Sequence, residues 1–143
     1  MYTVTVTVII SLLGIGRACS LALAKDGATV VVNYSRSQGP AEEVVSEINN
    51  LTLNDRDEST NGEAIAIKAD VSSIPAIKQL VAQVVKKYGR IDILVCNAGK
   101  LYGNATLENT TEDTFDEAFN LNVKGVYFLI QVSYVESLSS PFV

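Results

Sequence analysis

Histidine is missing altogether from the 143 residues, which excludes Ser-His-Asp catalysis and the usual zinc chemistry. Cysteine is scarce: Cys19 stands in a helix-like stretch and Cys96 at the end of a strand-like run. Two isolated thiols make neither a disulfide framework nor a metal set. They suit a reducing compartment, so the expected location is cytoplasmic. Positive charge is also short, with 11 Lys and Arg against 16 Asp and Glu, a net charge of −5. That balance argues against a nucleic-acid or anionic-membrane surface. The apolar run Val4–Leu13 is too short to span a membrane and is followed at once by glycines and Arg17. Met1-Tyr2-Thr3 carries none of the basic residues that precede the apolar part of a signal peptide, so the run reads as a buried strand.

What remains is a chain with 48 % hydrophobic and 19 % charged residues, which points to a globular protein rather than a disordered one. Its length suits one domain, residues 1–143. The organising stretch is Leu13-Gly14-Ile15-Gly16-Arg17, between the first apolar run and a helix-like stretch, Ala18–Asp26. A second apolar run, Ala28–Tyr34, follows. Strand, glycine turn, helix, strand is the unit that opens a dinucleotide-binding sheet. Glycines there let the backbone turn tightly and approach a pyrophosphate, towards which the unpaired first amides of the helix can point. A plain tight turn would also explain the pair.

Further along, Ser35–Pro40 reads as a polar turn and Ala41–Asn50 as a helix with Val44, Val45 and Ile48 inward. The polar, charged stretch Leu51–Gly62 reads as a long loop. Glu63–Lys68 alternates like a third strand ending at Asp70, and Pro75 fits the first turn of a helix closed by Gly89. Ile91–Cys96 is the fourth strand, and Thr111 caps a helix running to about Val135. Four strands, each followed by a helix pattern, predict an α/β fold: an open parallel doubly wound (Rossmann-type) sheet, truncated at about four strands. The loops after its strands gather on one edge, where such sheets bind ligands.

Gly14-Ile15-Gly16, Asp70-Val71, Asn97-Ala98-Gly99 and Asn122, in this order and spacing, resemble the short-chain dehydrogenase/reductase family. Ala24–Ser35, Glu63–Val71 and Asp92–Gly99 look most like its NADPH-dependent 3-ketoacyl-carrier-protein reductases and fungal polyketide (naphthol) reductases, and the resemblance covers Val4–Gln131. It implies an NAD(P)-dependent oxidoreductase, a carbonyl reductase or alcohol dehydrogenase, acting on a small-molecule carbonyl substrate. Gly14, Ile15 and Gly16 would border the cofactor pyrophosphate. Asp70 would accept from the adenine amino group, with the Val71 amide beside it; a helix N-cap is the other reading of Asp70. Asn97, Ala98 and Gly99 would line the adenosine ribose, or form a simple polar turn. Tyr34 falls where NAD-preferring members place an acid, and Arg36 lies within reach of a 2′-phosphate, which favours NADP over NAD; a solvated loop charge is the alternative for Arg36. Asn122 matches the Asn of the family's Asn-Ser-Tyr-Lys tetrad, or is a hydrogen-bonded core polar group.

Three departures stand out. Ile9 and Ile10 occupy the places of the family's Thr and first Gly, Leu12 and Leu13 those of a Ser and an Arg that contribute to phosphate binding, and Ile10 would crowd the cofactor. The Leu51–Asn61 stretch exceeds the family's usual connection. No Tyr-x-x-x-Lys occurs at Tyr2, Tyr34, Tyr88, Tyr102, Tyr127 or Tyr134, and the catalytic Ser is absent. Hydride transfer to a carbonyl needs an acid at the oxygen, so this chain is expected not to catalyse the family reaction. Two readings follow: a truncated or mis-assembled NADP-dependent reductase, or a non-catalytic nucleotide-binding or dimerising fragment. The second would form a homo-oligomer or pair with a full-length relative through Thr111–Val135.

Overall fold

The computed structural model describes residues 5–9, 14–54, 63–101 and 106–139. Strands β1 (Thr5–Ile9), β2 (Thr29–Tyr34), β3 (Ala64–Lys68) and β4 (Ile93–Cys96) form a parallel sheet in the order β3-β2-β1-β4. Helix α1 (Ile15–Lys25) joins β1 to β2, α2 (Gln38–Asn54) follows β2, and α3 (Ile74–Tyr88) lies between β3 and β4. After β4 come α4 (Glu112–Phe119), a π-helical segment (Asn120–Gly125) and α5 (Val126–Ser139).

All six residues of β2 are buried, as expected of a strand covered on both faces. The two-residue period of a strand sends Val30, Val32 and Tyr34 to one side and Val31 to the other. The first set packs with Ala24 of α1 and Ala41, Val44 and Ile48 of α2. Val31 and Ile67 pack with Ile77, Leu80, Val81 and Val84 of α3 and Leu129 of α5. Helices therefore cover both faces, and the sheet is doubly wound as the sequence predicts.

Several boundaries differ from the sequence-based expectation, and α1 begins three residues early, at Ile15 instead of Ala18. Helix α2 begins at Gln38 instead of Ala41 and continues through Leu51–Asn54. Pro40 sits in its first turn, where an amide has no intrahelical partner to lose, and Gln38 Nε2 donates to Glu42 Oε1 at 2.6 Å. The rest of the expected loop, residues 55–62, lies outside the described residues. β4 begins at Ile93, two residues late. The helix after Thr111 forms as expected, with Thr111 Oγ1 accepting from Thr114 N at 3.2 Å, but it widens into a π-helix across Asn120–Gly125.

Gly89 stops α3 as expected: its φ of 83° suits glycine, and its N–H donates to Val85 O at 2.8 Å. β3 and β4 are the edges of the described sheet. Phe115, Phe119, Val123, Tyr127, Ile130 and Tyr134 are all exposed along α4 to α5, and Phe115 stacks on Phe119. Among the described residues no helix is long and apolar enough to cross a membrane.

Candidate functional site

Parallel pairing brings every strand's carboxyl end to one edge. Ile9, the last residue of β1, is in register with Asn33 on one side and Cys96 on the other. The Gly14 turn, Ser35-Arg36, Asp70-Val71 and Asn97-Ala98-Gly99 follow β1, β2, β3 and β4 respectively. The strand order reverses between β1 and β4, the topological switch point at which open α/β sheets take ligands. Of the site residues singled out from sequence, Ile15 and Gly16 open α1, Asn122 lies in the π-helix, and the others lie on these four connections or at the strand end that leads into one.

Gly14 precedes α1 with φ 83° and ψ −117°, a backbone conformation that side-chain-bearing residues rarely adopt. Among the described residues no side chain caps α1 and no acid occupies its first turn, so its leading amides keep their capacity for an anion. Gly16 is buried, while Ile15 is 74 % exposed. Arg17 is drawn away from the turn into an ion pair with Glu47 of α2. Ile10, Leu12 and Leu13 lie outside the described residues.

Tyr34 does not present its side chain at the edge. The ring packs in the core with Val32, Ala41 and Val44, because position 34 shares the strand face of Val30 and Val32. Only its backbone reaches the edge, where Tyr34 O accepts from Ala69 N at 2.9 Å. Arg36, two residues later, is exposed.

Asp70 is not the N-cap of α3; that position belongs to Ser73, whose side chain makes no cap bond. Asp70 folds its own turn instead: Oδ1 accepts from Ser72 N at 2.9 Å and from Ser72 Oγ at 2.7 Å. These bonds, chiefly that from the hydroxyl, hold the carboxyl below its ordinary pKa, with a smaller contribution from the Arg36 charge. Asp70 is therefore ionised at neutral pH. Sequence reasoning missed what positions it: Asn33, buried in β2, donates from Nδ2 to Ile67 O and Ala69 O, both at 3.1 Å. An Asn amid valines is the signal, since a buried amide must find partners.

After β4, Asn97 N donates to Val95 O at 3.2 Å and Ala98 packs against the core. Cys96 is half-buried, and burial raises its thiol pKa. Asn122 projects from the π-helix and grips the next peptide: Oδ1 accepts from Lys100 N and Nδ2 donates to Lys100 O, both at 2.9 Å. It is thus a surface clamp on a loop backbone, not a core polar group. Gly99 lies close by, its Cβ position 3.4 Å from Asn122 Oδ1. Asn120 Nδ2 donates to Ser72 O at 3.3 Å, and Gly125 lies against the Val71 carbonyl. Asn120 was not singled out from sequence, and Gly125 enters the sequence reading only as part of the pattern with Phe119 and Val123 that flanks Asn122; a glycine inside a helical pattern was the available sign of a close approach.

Residues 5–138 match the family described as short chain dehydrogenase. The chain is 39 % identical over 122 residues to a hydroxynaphthalene reductase-like protein of Metarhizium robertsii, covering 85 % of this chain and 42 % of that one. It is 42 % identical over 120 residues to an uncharacterized oxidoreductase of Methylorubrum extorquens, covering 84 % and 44 %. Among solved structures, a short chain dehydrogenase from Burkholderia cenocepacia in complex with NADP superimposes with a TM-score of 0.79 at 33 % identity, over 93 % of this chain and 50 % of that one. A metagenomic short-chain oxidoreductase, also in complex with NADP, gives 0.83 at 26 % identity, over 95 % and 57 %. The chain thus spans less than half the length of these curated relatives, and with the fold, the edge and the match over nearly all its residues it belongs to the short-chain dehydrogenase family.

Proposed function

We propose that residues 1–143 are the dinucleotide-binding domain of a cytoplasmic, NADP-dependent carbonyl reductase or alcohol dehydrogenase, and that by themselves they bind cofactor without catalysing. The observation that carries this reading is the convergence of Gly14–Gly16, Arg36, Asp70-Val71 and Asn97–Gly99 on one edge at the switch point. The residues present suit a dinucleotide: among the described residues Gly14 leaves open space, and none caps the start of α1, where a pyrophosphate would sit. Asp70 uses Oδ1 for its own turn, which leaves Oδ2 to accept from an adenine amino group. No carboxylate follows β2 to hold a ribose 2′-hydroxyl, and Arg36 offers a charge for a 2′-phosphate. Bound NADPH would supply a hydride for a small-molecule carbonyl; the acid that must protonate the oxygen is what these residues lack, since no Tyr-x-x-x-Lys occurs. Asn122 serves by fixing the Lys100 peptide beside the ribose-lining turn.

Calorimetry of the purified chain with NADPH, and with NADH as comparator, tests this. Binding with at least a tenfold preference for NADPH is expected. A folded chain that takes up neither nucleotide refutes the cofactor reading.

A second reading, a non-catalytic partner of a full-length relative or of itself, is favoured by the exposed apolar stripe from Phe115 to Tyr134. On that reading the chain elutes as an oligomer or co-purifies with a full-length reductase, and the double change Phe119→Asp with Tyr127→Asp abolishes both behaviours. A sharply melting, monomeric parent chain that captures no reductase refutes it.

A further inference from the structure

We infer that Gly125 is a positioning residue: by seating the π-helix on the Val71 carbonyl it ties the turn after β3 to the loop after β4, and so sets where Asn122 holds Lys100. The inference rests on the cofactor reading for its bearing on nucleotide affinity, but its structural content stands apart from that reading.

A Cβ at position 125 would lie 2.3 Å from Val71 O and 3.3 Å from Asn120 O. The first distance is far inside van der Waals contact, so the π-helix and the turn would have to separate by roughly 1 Å. Gly125 is buried, and its φ is not positive, so the demand for glycine here comes from close approach and not from an unusual dihedral. Asn120 reinforces the same seam, its Nδ2 donating to Ser72 O at 3.3 Å. Val71 and Ser72 directly follow Asp70, and Ser72 supplies both bonds to the Asp70 carboxylate.

Between these two contacts the helix is wound as a π-helix over Asn120–Gly125. Such a segment carries an extra residue relative to an α-helix and turns the side chains within it to new directions. Asn122 lies inside it and closes two 2.9 Å bonds on Lys100, while Lys100 Nζ reaches Glu117 of α4 at 3.4 Å. The segment thus touches the edge at two places, the Asp70–Ser72 turn through Asn120 and Gly125, and the Gly99-Lys100 loop through Asn122. Moving the helix off Val71 displaces Asn122 from the Lys100 peptide.

Amide hydrogen exchange on the ligand-free chain tests this. Gly125→Ala should accelerate exchange at the Lys100 amide at least tenfold beyond the change in the most protected core amides. Asn120→Ala, a milder change at the same seam, should accelerate it about threefold. Val44→Ala, in the core on the opposite face of the sheet, should change Lys100 only in step with the core. If Gly125→Ala fails to fold, Asn120→Ala decides alone. Lys100 protection that follows the core in the folded seam variants overturns the inference and leaves Gly125 a packing glycine. Calorimetry on the parent chain is read separately: failure to bind NADPH there removes the cofactor reading and leaves the exchange result standing.

Discussion

Gly14→Val is expected to abolish NADPH binding, lowering affinity at least a hundredfold, while far-ultraviolet circular dichroism still reports a folded chain. The reason is dihedral and not steric. Among the described residues nothing lies within 4 Å of the Cβ that a substitution would add, so none of them would be struck. The backbone at φ 83° and ψ −117° is, however, a conformation that costs a side-chain-bearing residue about 1–3 kcal/mol, most for a β-branched one. The chain can escape that strain by rotating the peptide that leads into α1, which re-aims the first amides of the helix. Anion binding at a helix start depends on those directions. Gly14→Ala should therefore lose most of the affinity as well, despite the open space around it. Parent-like NADPH affinity in Gly14→Val would mean that the turn after β1 does not hold the pyrophosphate.

The parts of this edge that sequence revealed are those set by local chemistry. The apolar run of β2, the Pro75 start and Gly89 stop of α3 and the Thr111 cap each depend on residues close in the chain, and each forms where expected. Strand ends of a parallel sheet share an edge by topology, so the grouping of the glycine turn, Asp70 and Asn97 was also legible. What was not legible depends on partners distant in sequence. Asn33 finds the carbonyls of Ile67 and Ala69, and Asn120 finds Ser72; neither pairing leaves a local pattern. Tyr34 illustrates the converse. Its resemblance-based position suggested a ligand contact, yet two-residue alternation with Val30 and Val32 already placed its ring in the core. The π-helix escaped notice because a widened turn differs from an α-helix by one residue of register, less than a hydrophobic pattern resolves.

Leu80→Ala carries the largest expected cost to stability, about 2–5 kcal/mol. Leu80 is wholly buried on α3, within the cluster that joins Val31 and Ile67 of the sheet to Leu129 of α5. Alanine is at least as good a helix former as leucine, so the loss reports packing alone: the transfer free energy of the removed carbons plus the cavity they leave. Domains are stable by only about 5–15 kcal/mol in all. Among the described residues β4 stands at a sheet edge and an apolar helix stripe is exposed, which places the stability of these residues by themselves towards the lower end. The urea midpoint should accordingly fall by about 1–2.5 M, for a denaturant slope near 2 kcal/mol per M. Leu107→Ala supplies the contrast, since Leu107 is 98 % exposed and its change should stay within about 0.5 kcal/mol. The consequence reaches the edge as well. Leu129 anchors α5 on this cluster, directly after the π-helix that clamps Lys100. A loosened Leu80 contact should therefore expose Lys100 to exchange together with the core, unlike the selective loss expected from Gly125→Ala. Equal midpoints for Leu80→Ala and the parent would refute the packing described between α3 and α5.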